Sequence, residues 1–487
     1  MSSGQNPIES FNIENPPNYY KRGSGFSTES YMSEDVANTN DNIIFKEDSL
    51  DLGKRNNNLH KAYCGIKGDS DLSCILNLTV SAIGDGCFCF PYIMYEGGIL
   101  VIVIIFIFVT GCTYYTLDLL RSFVVDTKYF SFALMTETIL GAKWLKVYAF
   151  SSFVIYVSMV INYLTSIYKY IQEIFELDIK SYVFQTVYFT ISIIIEIIIC
   201  LYISKMNNMM HILSIISIVS FFVMVFSLII ISVYANLGGE IKNKFIYENL
   251  FFPKITTLWG KILKISSYIM EYVYGYSYHS TFPTVIGYLQ KVNNKATKKV
   301  HIISFIIIVS TYILITFSGF LLSKNVPNHL LQDSVKLFEE EWVDLLKPFK
   351  CVMVLYSLTL IPVRFIVVRD NYITLFGKRK IKVLSELAII ILFILICNIF
   401  AFGLGNIEKN LQKWDIRNVI QAFGGMFGVI ISFCLPVINY VSINGKKKVK
   451  SIIGYIITGF YVIVGFFSFS YIFYNIFFGE HDKEDES

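Results

Sequence analysis

Apolar stretches of about 20 residues recur from Leu72 almost to the end of the chain, with short polar loops between them. Each stretch is long enough to cross a bilayer as a helix, and lipid excludes open backbone structures because it cannot satisfy free N–H and C=O groups. Only 16% of the residues are charged, against about 25% in soluble domains. The sequence therefore predicts an all-α integral membrane protein.

Eleven transmembrane helices can be delimited in the sequence. They cover residues 72–95, 99–122, 147–170, 182–203, 212–236, 265–289, 301–323, 349–368, 384–404, 418–442 and 451–478. Before them, residues 1–71 are rich in Asn and Ser and hold no apolar stretch, so we expect a disordered tail. Residues 479–487 form a short acidic tail, which leaves 72–478 as the membrane domain.

Loop charges predict the orientation. Three loops are basic: 290–300 holds four Lys or Arg, 369–382 holds five and 443–450 holds four, and the three together hold one acid. The loop 324–347, in contrast, holds five acids. Basic loops face the cytoplasm, so the N-terminus is expected to be cytoplasmic, although the long loop 237–264 dissents with five Lys. Residues 1–71 hold no apolar stretch after a basic region, so we expect no cleavable signal peptide. The first span is therefore expected to direct insertion itself. The membrane is expected to be the plasma membrane or an internal acidic, vacuolar one.

The first apolar span is interrupted. Gly84 and Gly86 flank Asp85 at mid-membrane depth, and Pro91 follows. The glycines lower the cost of leaving helical geometry, and the exposed backbone groups would suit a small zwitterion or a cation. The alternatives are close helix packing at the two glycines and a helix-capping role for Asp85.

The sixth span is interrupted as well. Gly275 and Pro283 bracket a polar segment there, five spans after the first break. If helices one to five and six to ten form two inverted repeats, the two breaks occupy corresponding positions. Paired breaks of this kind indicate the binding site of a secondary transporter.

These motifs resemble the amino acid/auxin permease family, which includes sodium-coupled neutral amino acid transporters, and the Asn-rich composition resembles its apicomplexan-parasite members. The resemblance implies a leucine-transporter-like fold of five plus five helices with an eleventh appended, and symport of amino acids by alternating access. The matching segments are Asn77–Gly86 with Pro91-Tyr92, Tyr276–His279 with Pro283, Ser357–Pro362, and Ala422–Gly425 with Pro436. Asp85 departs from the small residue that many members have there.

Two sets of side chains are candidates for the site. The substrate-binding candidates are Ser81, Gly84, Asp85, Gly86, Tyr276, Ser277 and His279. The proton-coupling candidates, our first choice, are Asp85, Glu196 and Glu271, because acids at membrane depth are functional by default. By resemblance, Asn77 and Thr359, or Ser357 in another register, form a sodium site, the second choice.

Other function classes have little support. The sequence has no Walker loop, no Gly-x-Ser-x-Gly elbow and no His-rich metal cluster, so we expect no enzyme, no metal and no cofactor beyond H⁺ or Na⁺. The net charge of +4 does not suggest a nucleic-acid partner. Arg364 is expected to snorkel from the end of the eighth span. Two alternatives stay open: a carrier of another small polar solute, and an amino-acid sensor signalling through its tail. No oligomeric state follows from the sequence.

Overall fold

A computed structural model describes most of the membrane domain. The described residues are 70–174, 190, 207–237, 258–322, 343–376, 391–400, 416–445 and 448–478. The predicted fourth span apart from residue 190, about half of the ninth, residues 1–69 and residues 479–487 lie outside these residues. The regular secondary structure of the described part is helical.

Fourteen α-helices are labelled in chain order within the described part. They are α1 (Asp71–Ala82), α2 (Phe90–Gly97), α3 (Ile99–Thr127), α4 (Phe132–Leu140), α5 (Ala142–Ile174), α6 (Asn207–Leu237), α7 (Leu258–Gly275), α8 (Phe282–Gly287), α9 (Asn294–Leu322), α10 (Val343–Phe376), α11 (Ile391–Phe400), α12 (Ile416–Val429), α13 (Leu435–Asn444) and α14 (Val449–Phe478). A 3₁₀ turn, Asp85–Cys89, joins α1 to α2, and a π-helical turn, Ile430–Cys434, joins α12 to α13.

Six helical segments of the described part are long and apolar enough to cross a membrane, and the bent pair at the first span raises the number to seven. These six are Ile99–Thr127, Ala142–Ile167, Ile215–Val233, Asn294–Leu321, Phe423–Asn444 and Val449–Phe473. The count of eleven and the inverted repeat therefore stay predictions. Both breaks lie where the sequence predicts them, although the sixth span begins earlier, at Leu258.

Helix α4 is an element that the sequence analysis did not predict. It begins after Ser131, whose hydroxyl accepts a hydrogen bond from the Leu134 N–H at 3.4 Å. It ends at Leu140, and the next residue, Gly141, has a φ of +89°. A serine cap and a glycine with positive φ are typical signals at the two ends of a helix. At 9 residues, α4 is too short to span a bilayer.

The broken helices lie inside the helix assembly. Helix α7 packs against α12 and α14, and α9 packs against α1, α2 and α6. On the other side, α10 packs against α5 and α6. The 3₁₀ turn of the first break has no exposed side chain among those described, whereas α14 exposes apolar side chains such as Ile456 and Phe466. This arrangement holds both breaks in the interior and leaves apolar faces for lipid.

Candidate functional site

The first break is a change of helix type and direction. Helix α1 ends at Ala82, and the Ile83 and Gly84 backbones that follow are extended. The 3₁₀ turn then leads into α2, which has Pro91 in its first turn, and the two halves are bent by 54°. None of the described side chains caps the start of the 3₁₀ turn. The break therefore presents uncapped backbone N–H groups inside the protein.

The second break separates α7 from α8. Helix α7 ends at Gly275, and residues 276–281 form successive turns held by backbone hydrogen bonds of 2.9 to 3.2 Å. Helix α8 begins at Phe282, has Pro283 in its first turn and is only 6 residues long. Because proline has no N–H and fixes φ, it suits the start of the second half.

The two breaks are in contact. A Cβ atom added at Gly86 would lie 3.0 Å from the Gly275 Cα atom, and one added at Gly275 would lie 2.6 Å from Cζ of Phe90. The hydroxyl of Tyr312, in α9, lies 2.8 Å from the carbonyl oxygen of Ala82 and 2.6 Å from that of Gly275. One hydroxyl thus joins the ends of both first halves.

The structure places three first-break candidates as follows. The Ser81 hydroxyl donates to the carbonyl oxygen of Asn77 at 2.8 Å, within its own helix. Gly84 faces α5, since a Cβ atom there would lie 3.4 Å from the Tyr163 hydroxyl. Asp85 begins the 3₁₀ turn by its backbone. These backbones line the break, while the Ser81 hydroxyl is engaged in its helix.

The second-break candidates are buried and bonded. The hydroxyl of Tyr276 lies 2.9 Å from the Thr110 hydroxyl, and Nε2 of His279 lies 3.0 Å from the Thr116 hydroxyl, so both side chains bond to α3. The Ser277 hydroxyl donates to a carbonyl one turn earlier at 2.7 Å. The bonds of Tyr276 and His279 fix the second break to α3.

Glu271 lies between the two breaks. It is 4% exposed, in the last turn of α7, and the Cys89 thiol of the first break and the Ser267 hydroxyl lie beside its carboxyl group. Its Oε2 atom makes no hydrogen bond to the described residues. The other acid predicted within a span, Glu196, lies outside the described residues.

The three candidate sodium ligands have different surroundings. The Thr359 hydroxyl donates to the Tyr356 carbonyl oxygen at 2.8 Å and lies 2.6 Å from the Ser217 hydroxyl of α6. Ser357 is fully buried, and its hydroxyl has no hydrogen-bond partner among the described residues. Asn77 is half-buried in α1. The structure therefore engages Thr359 with α6.

The expectation that Arg364 snorkels to the surface is wrong. Helix α10 continues to Phe376, so Arg364 lies three turns before its end and is 4% exposed. Its Nη2 atom donates to the carbonyl oxygen of Ser81 at 3.4 Å, and its guanidinium carbon lies 5.3 Å from the centre of the Tyr156 ring. The sequence signal was a basic residue in an apolar span, but the extent of the helix was underestimated.

Three glycines of α12 lie close to the end of α7 and to the second break. Cβ atoms added at Gly424, Gly425 or Gly428 would lie about 2.5 to 2.6 Å from Tyr274, from the Met270 carbonyl oxygen and from the Ser277 hydroxyl. Two of these glycines, Gly424 and Gly425, were singled out in the sequence only as part of the motif Ala422–Gly425. Their spacing of three or four residues is the signal of a helix face that closely approaches another helix.

Residues 67–478 match the profile of the family described as transmembrane amino acid transporter protein. The chain belongs to this family. The resemblance drawn from the sequence motifs is thereby confirmed. Comparison with curated proteins returns no match. The family consists of membrane transporters rather than enzymes, and a multi-pass membrane location follows from it together with the apolar helices.

Solved transporter structures share the fold of this amino acid transporter family member. A manganese transporter from Eremococcus coleocola, in complex with an aromatic bis-isothiourea substituted compound, has a TM-score of 0.53 and 10% identity, covering 85% of this chain and 88% of that one. A Na⁺-coupled sialic acid symporter in a substrate-bound outward-open state has a TM-score of 0.50 and 13% identity, covering 85% and 90%. At these identities the likeness concerns the fold alone, a leucine-transporter-like helical fold.

Proposed function

We propose that this protein is a secondary active transporter that moves amino acids across a membrane by alternating access, coupled to protons. The family supports a small-molecule amino acid as the substrate. The observation that carries the proposal is the contact of the two helix breaks at Gly86 and Gly275, inside the protein. Transporters with broken helices bind substrate and ion at such a crossing.

The first break suits the carboxylate of an amino acid. The 3₁₀ turn begins at Asp85 without a cap from any described side chain, so its first N–H groups are proposed as donors for an anion. Gly84 and Gly86 carry no side chain that would cover these donors. The ammonium group then lies toward the carbonyl oxygens at the end of α7, where backbone acceptors carry partial negative charge.

Alternating access requires the broken helices to move against their neighbours. In this proposal α1, α2, α7 and α8 form the moving bundle, within a five-plus-five inverted repeat followed by an eleventh helix, and the N-terminus is cytoplasmic. The hydroxyls of Tyr312 and Tyr356 bind the Ala82 and Ile83 carbonyl oxygens across that boundary, at 2.8 and 2.9 Å. A change of state exchanges these hydrogen bonds, which are each worth about 1 kcal/mol.

Glu271 is the best-supported proton carrier among the described residues. It is buried, it contacts Cys89 of the first break, and it precedes Gly275 of the second by about one turn. A proton bound there would therefore neutralise a charge that lies next to both breaks. Asp85 and Glu196 remain candidates from the sequence. Sodium is the second choice, with Asn77 and Thr359, or Ser357 in place of Thr359, as its ligands.

Uptake of radiolabelled amino acids into proteoliposomes tests the proposal. Saturable uptake by the full-length chain, lost in Gly275→Leu, is the expected result, because a large side chain would collide with Phe90. Uptake that survives deletion of residues 1–65 excludes a sensor that signals through its tail. Amino-acid-dependent thermal stabilisation without any uptake would contradict transport and favour the sensor, and stabilisation only by other polar solutes would change the substrate class.

A further inference from the structure

Arg364 is a buried cation that the proposed transport mechanism does not use. Its side chain lies in the middle of α10, and no carboxylate among the described side chains forms an ion pair with it. A charge at membrane depth without an ion-pair partner among the described side chains is costly and marks a functional position by default. The groups that surround Arg364 show what offsets this cost.

The guanidinium lies at the C-terminal end of the half-helix α1. Its Nη2 atom donates to the carbonyl oxygen of Ser81, in the last turn of that helix, at 3.4 Å. The next two carbonyl oxygens, of Ala82 and Ile83, accept from the hydroxyls of Tyr312 and Tyr356. The end of a helix carries about half a negative charge on such carbonyl groups, so a cation there is stabilised.

Aromatic side chains of α5 hold the other faces of Arg364. The guanidinium carbon lies 5.3 Å from the centre of the Tyr156 ring, within cation–π distance, and the Tyr163 hydroxyl lies beside it. The Tyr156 hydroxyl is in turn 2.8 Å from the Ser280 hydroxyl of the second break. A Cβ atom at Gly84 would contact Tyr163. The Arg364 site is therefore joined to both breaks.

We propose that Arg364 supplies a built-in cation in the place where a sodium-coupled transporter of this fold would bind its ion. Broken-helix transporters coordinate Na⁺ with the C-terminal carbonyl oxygens of half-helices, and here the guanidinium donates to one such oxygen, that of Ser81. Arginine stays charged at every physiological pH, so the cation is permanent and neither leaves nor releases a proton.

Ser357 and Thr359 fit this assignment. Ser357 precedes Arg364 by seven residues, two turns, and so lies on the same face of α10 as the arginine. Thr359 bonds to Ser217 of α6 instead of facing a cation. The consequence is that substrate binding and transport do not depend on Na⁺. This inference rests on the proposed function for its meaning, but its first test does not require transport.

Thermal unfolding of the purified full-length protein gives that first test. The unfolding midpoint of the wild-type protein is expected to be equal in NaCl and in choline chloride at the same ionic strength. A saturable rise with Na⁺ over choline would overturn the proposal. Because this readout needs no substrate, a failure of the transport proposal leaves it intact and the two failures are distinguishable.

Variants at Arg364 give the second test. Arg364→Ala opens a space at the carbonyl oxygens of α1, and the uptake of the variant is expected to fall about tenfold or more. Added guanidinium at low concentration, or Na⁺, is expected to restore part of the uptake and to raise the unfolding midpoint, which a merely structural role does not predict. Arg364→Lys should keep more uptake than Arg364→Ala, because it retains the charge without the fork of donors.

Lys299→Ala is the matched control. It also removes a cation, but Lys299 is exposed and pairs with Asp71 at the surface, so neither Na⁺ nor guanidinium should affect it beyond the wild type. An Arg364→Ala protein that folds but responds to no small cation would overturn the proposal and assign Arg364 to the substrate carboxylate or to packing. If Arg364→Ala does not fold, the wild-type protein and Arg364→Lys are each compared in NaCl and in choline chloride. A requirement for Na⁺ in either protein would overturn the proposal.

Discussion

Gly86 and Gly275 lie so close at the crossing of the two broken helices that a methyl group on Gly86 would be 3.0 Å from the Gly275 Cα atom. The two positions are 189 residues apart (275 minus 86), yet their backbones approach without a side chain between them. Close approach of this kind lets backbone groups of both breaks reach one ligand.

Gly86→Ala is expected to lower the free energy of unfolding by about 1–3 kcal/mol, because the added methyl group would press against the Gly275 backbone. Uptake is expected to fall more strongly than the expression level. Gly111→Ala is the matched control. Nothing lies within 4 Å of a Cβ atom there, inside helix α3, so this change should be neutral or stabilise by about 1 kcal/mol. Unfolding midpoints and initial uptake rates measure both. Equal effects of the two substitutions would contradict the close contact between Gly86 and Gly275.

Tyr312→Phe removes the hydroxyl that lies within hydrogen-bond distance of both the Ala82 and Gly275 carbonyl oxygens. We expect a loss of about 1–3 kcal/mol, because two buried carbonyl oxygens lose the one O–H group that they share, together with a changed rate of alternation. Tyr272→Phe is the control, since its buried hydroxyl has no hydrogen-bond partner among the described residues. If Tyr272→Phe costs as much as Tyr312→Phe in unfolding experiments, the bridge between the breaks is not a stabilising contact.

Glu271→Gln keeps the volume of the side chain and removes its ability to bind a proton. We expect the variant to lose pH-gradient-driven accumulation while keeping exchange of labelled for unlabelled substrate, because exchange needs no net proton movement. Glu137→Gln, at an exposed position of α4, should behave like the wild type. Accumulation that survives in Glu271→Gln would move proton coupling to Asp85 or Glu196.

The contact between Ser217 and Thr359 predicts an energetic coupling between α6 and α10. Their hydroxyls are 2.6 Å apart, so Ser217→Ala and Thr359→Val should each destabilise the protein, and the double variant should cost about 1 kcal/mol less than the sum. A double-mutant cycle of unfolding free energies measures this value. Strict additivity, combined with Na⁺-dependent binding that only Thr359→Val abolishes, would instead assign Thr359 to a sodium site.

The breaks were predictable from the sequence, whereas their partners were not. Gly84 and Gly86 with Pro91, and Gly275 with Pro283, act through the local backbone, so composition within one span suffices. Tyr312 lies in an uninterrupted apolar span and is one of 33 tyrosines in the chain, and nothing in its local sequence distinguishes it from the others. Its role depends on which helix packs beside the breaks, which is a property of the tertiary structure.

Arg364 shows a different kind of failure. The apolar pattern ends near residue 368, so the sequence places Arg364 close to a membrane surface. The helix continues to Phe376 through polar residues, and that extension moves Arg364 into the interior. Polar residues mark the end of an apolar stretch and not the end of a helix, since backbone hydrogen bonding continues into the loop region. The burial of Ser357 and the engagement of Thr359 with α6 also follow from helix rotation, which an apolar span leaves unspecified.

The most direct test of the central claim is concentrative uptake by wild-type proteoliposomes. Uptake of radiolabelled amino acids is compared under an inward proton gradient, an inward sodium gradient, and neither. The account predicts accumulation above equilibrium with the proton gradient alone, abolished by a protonophore. Accumulation that requires sodium and ignores the proton gradient would contradict both the proton coupling and the built-in cation at Arg364.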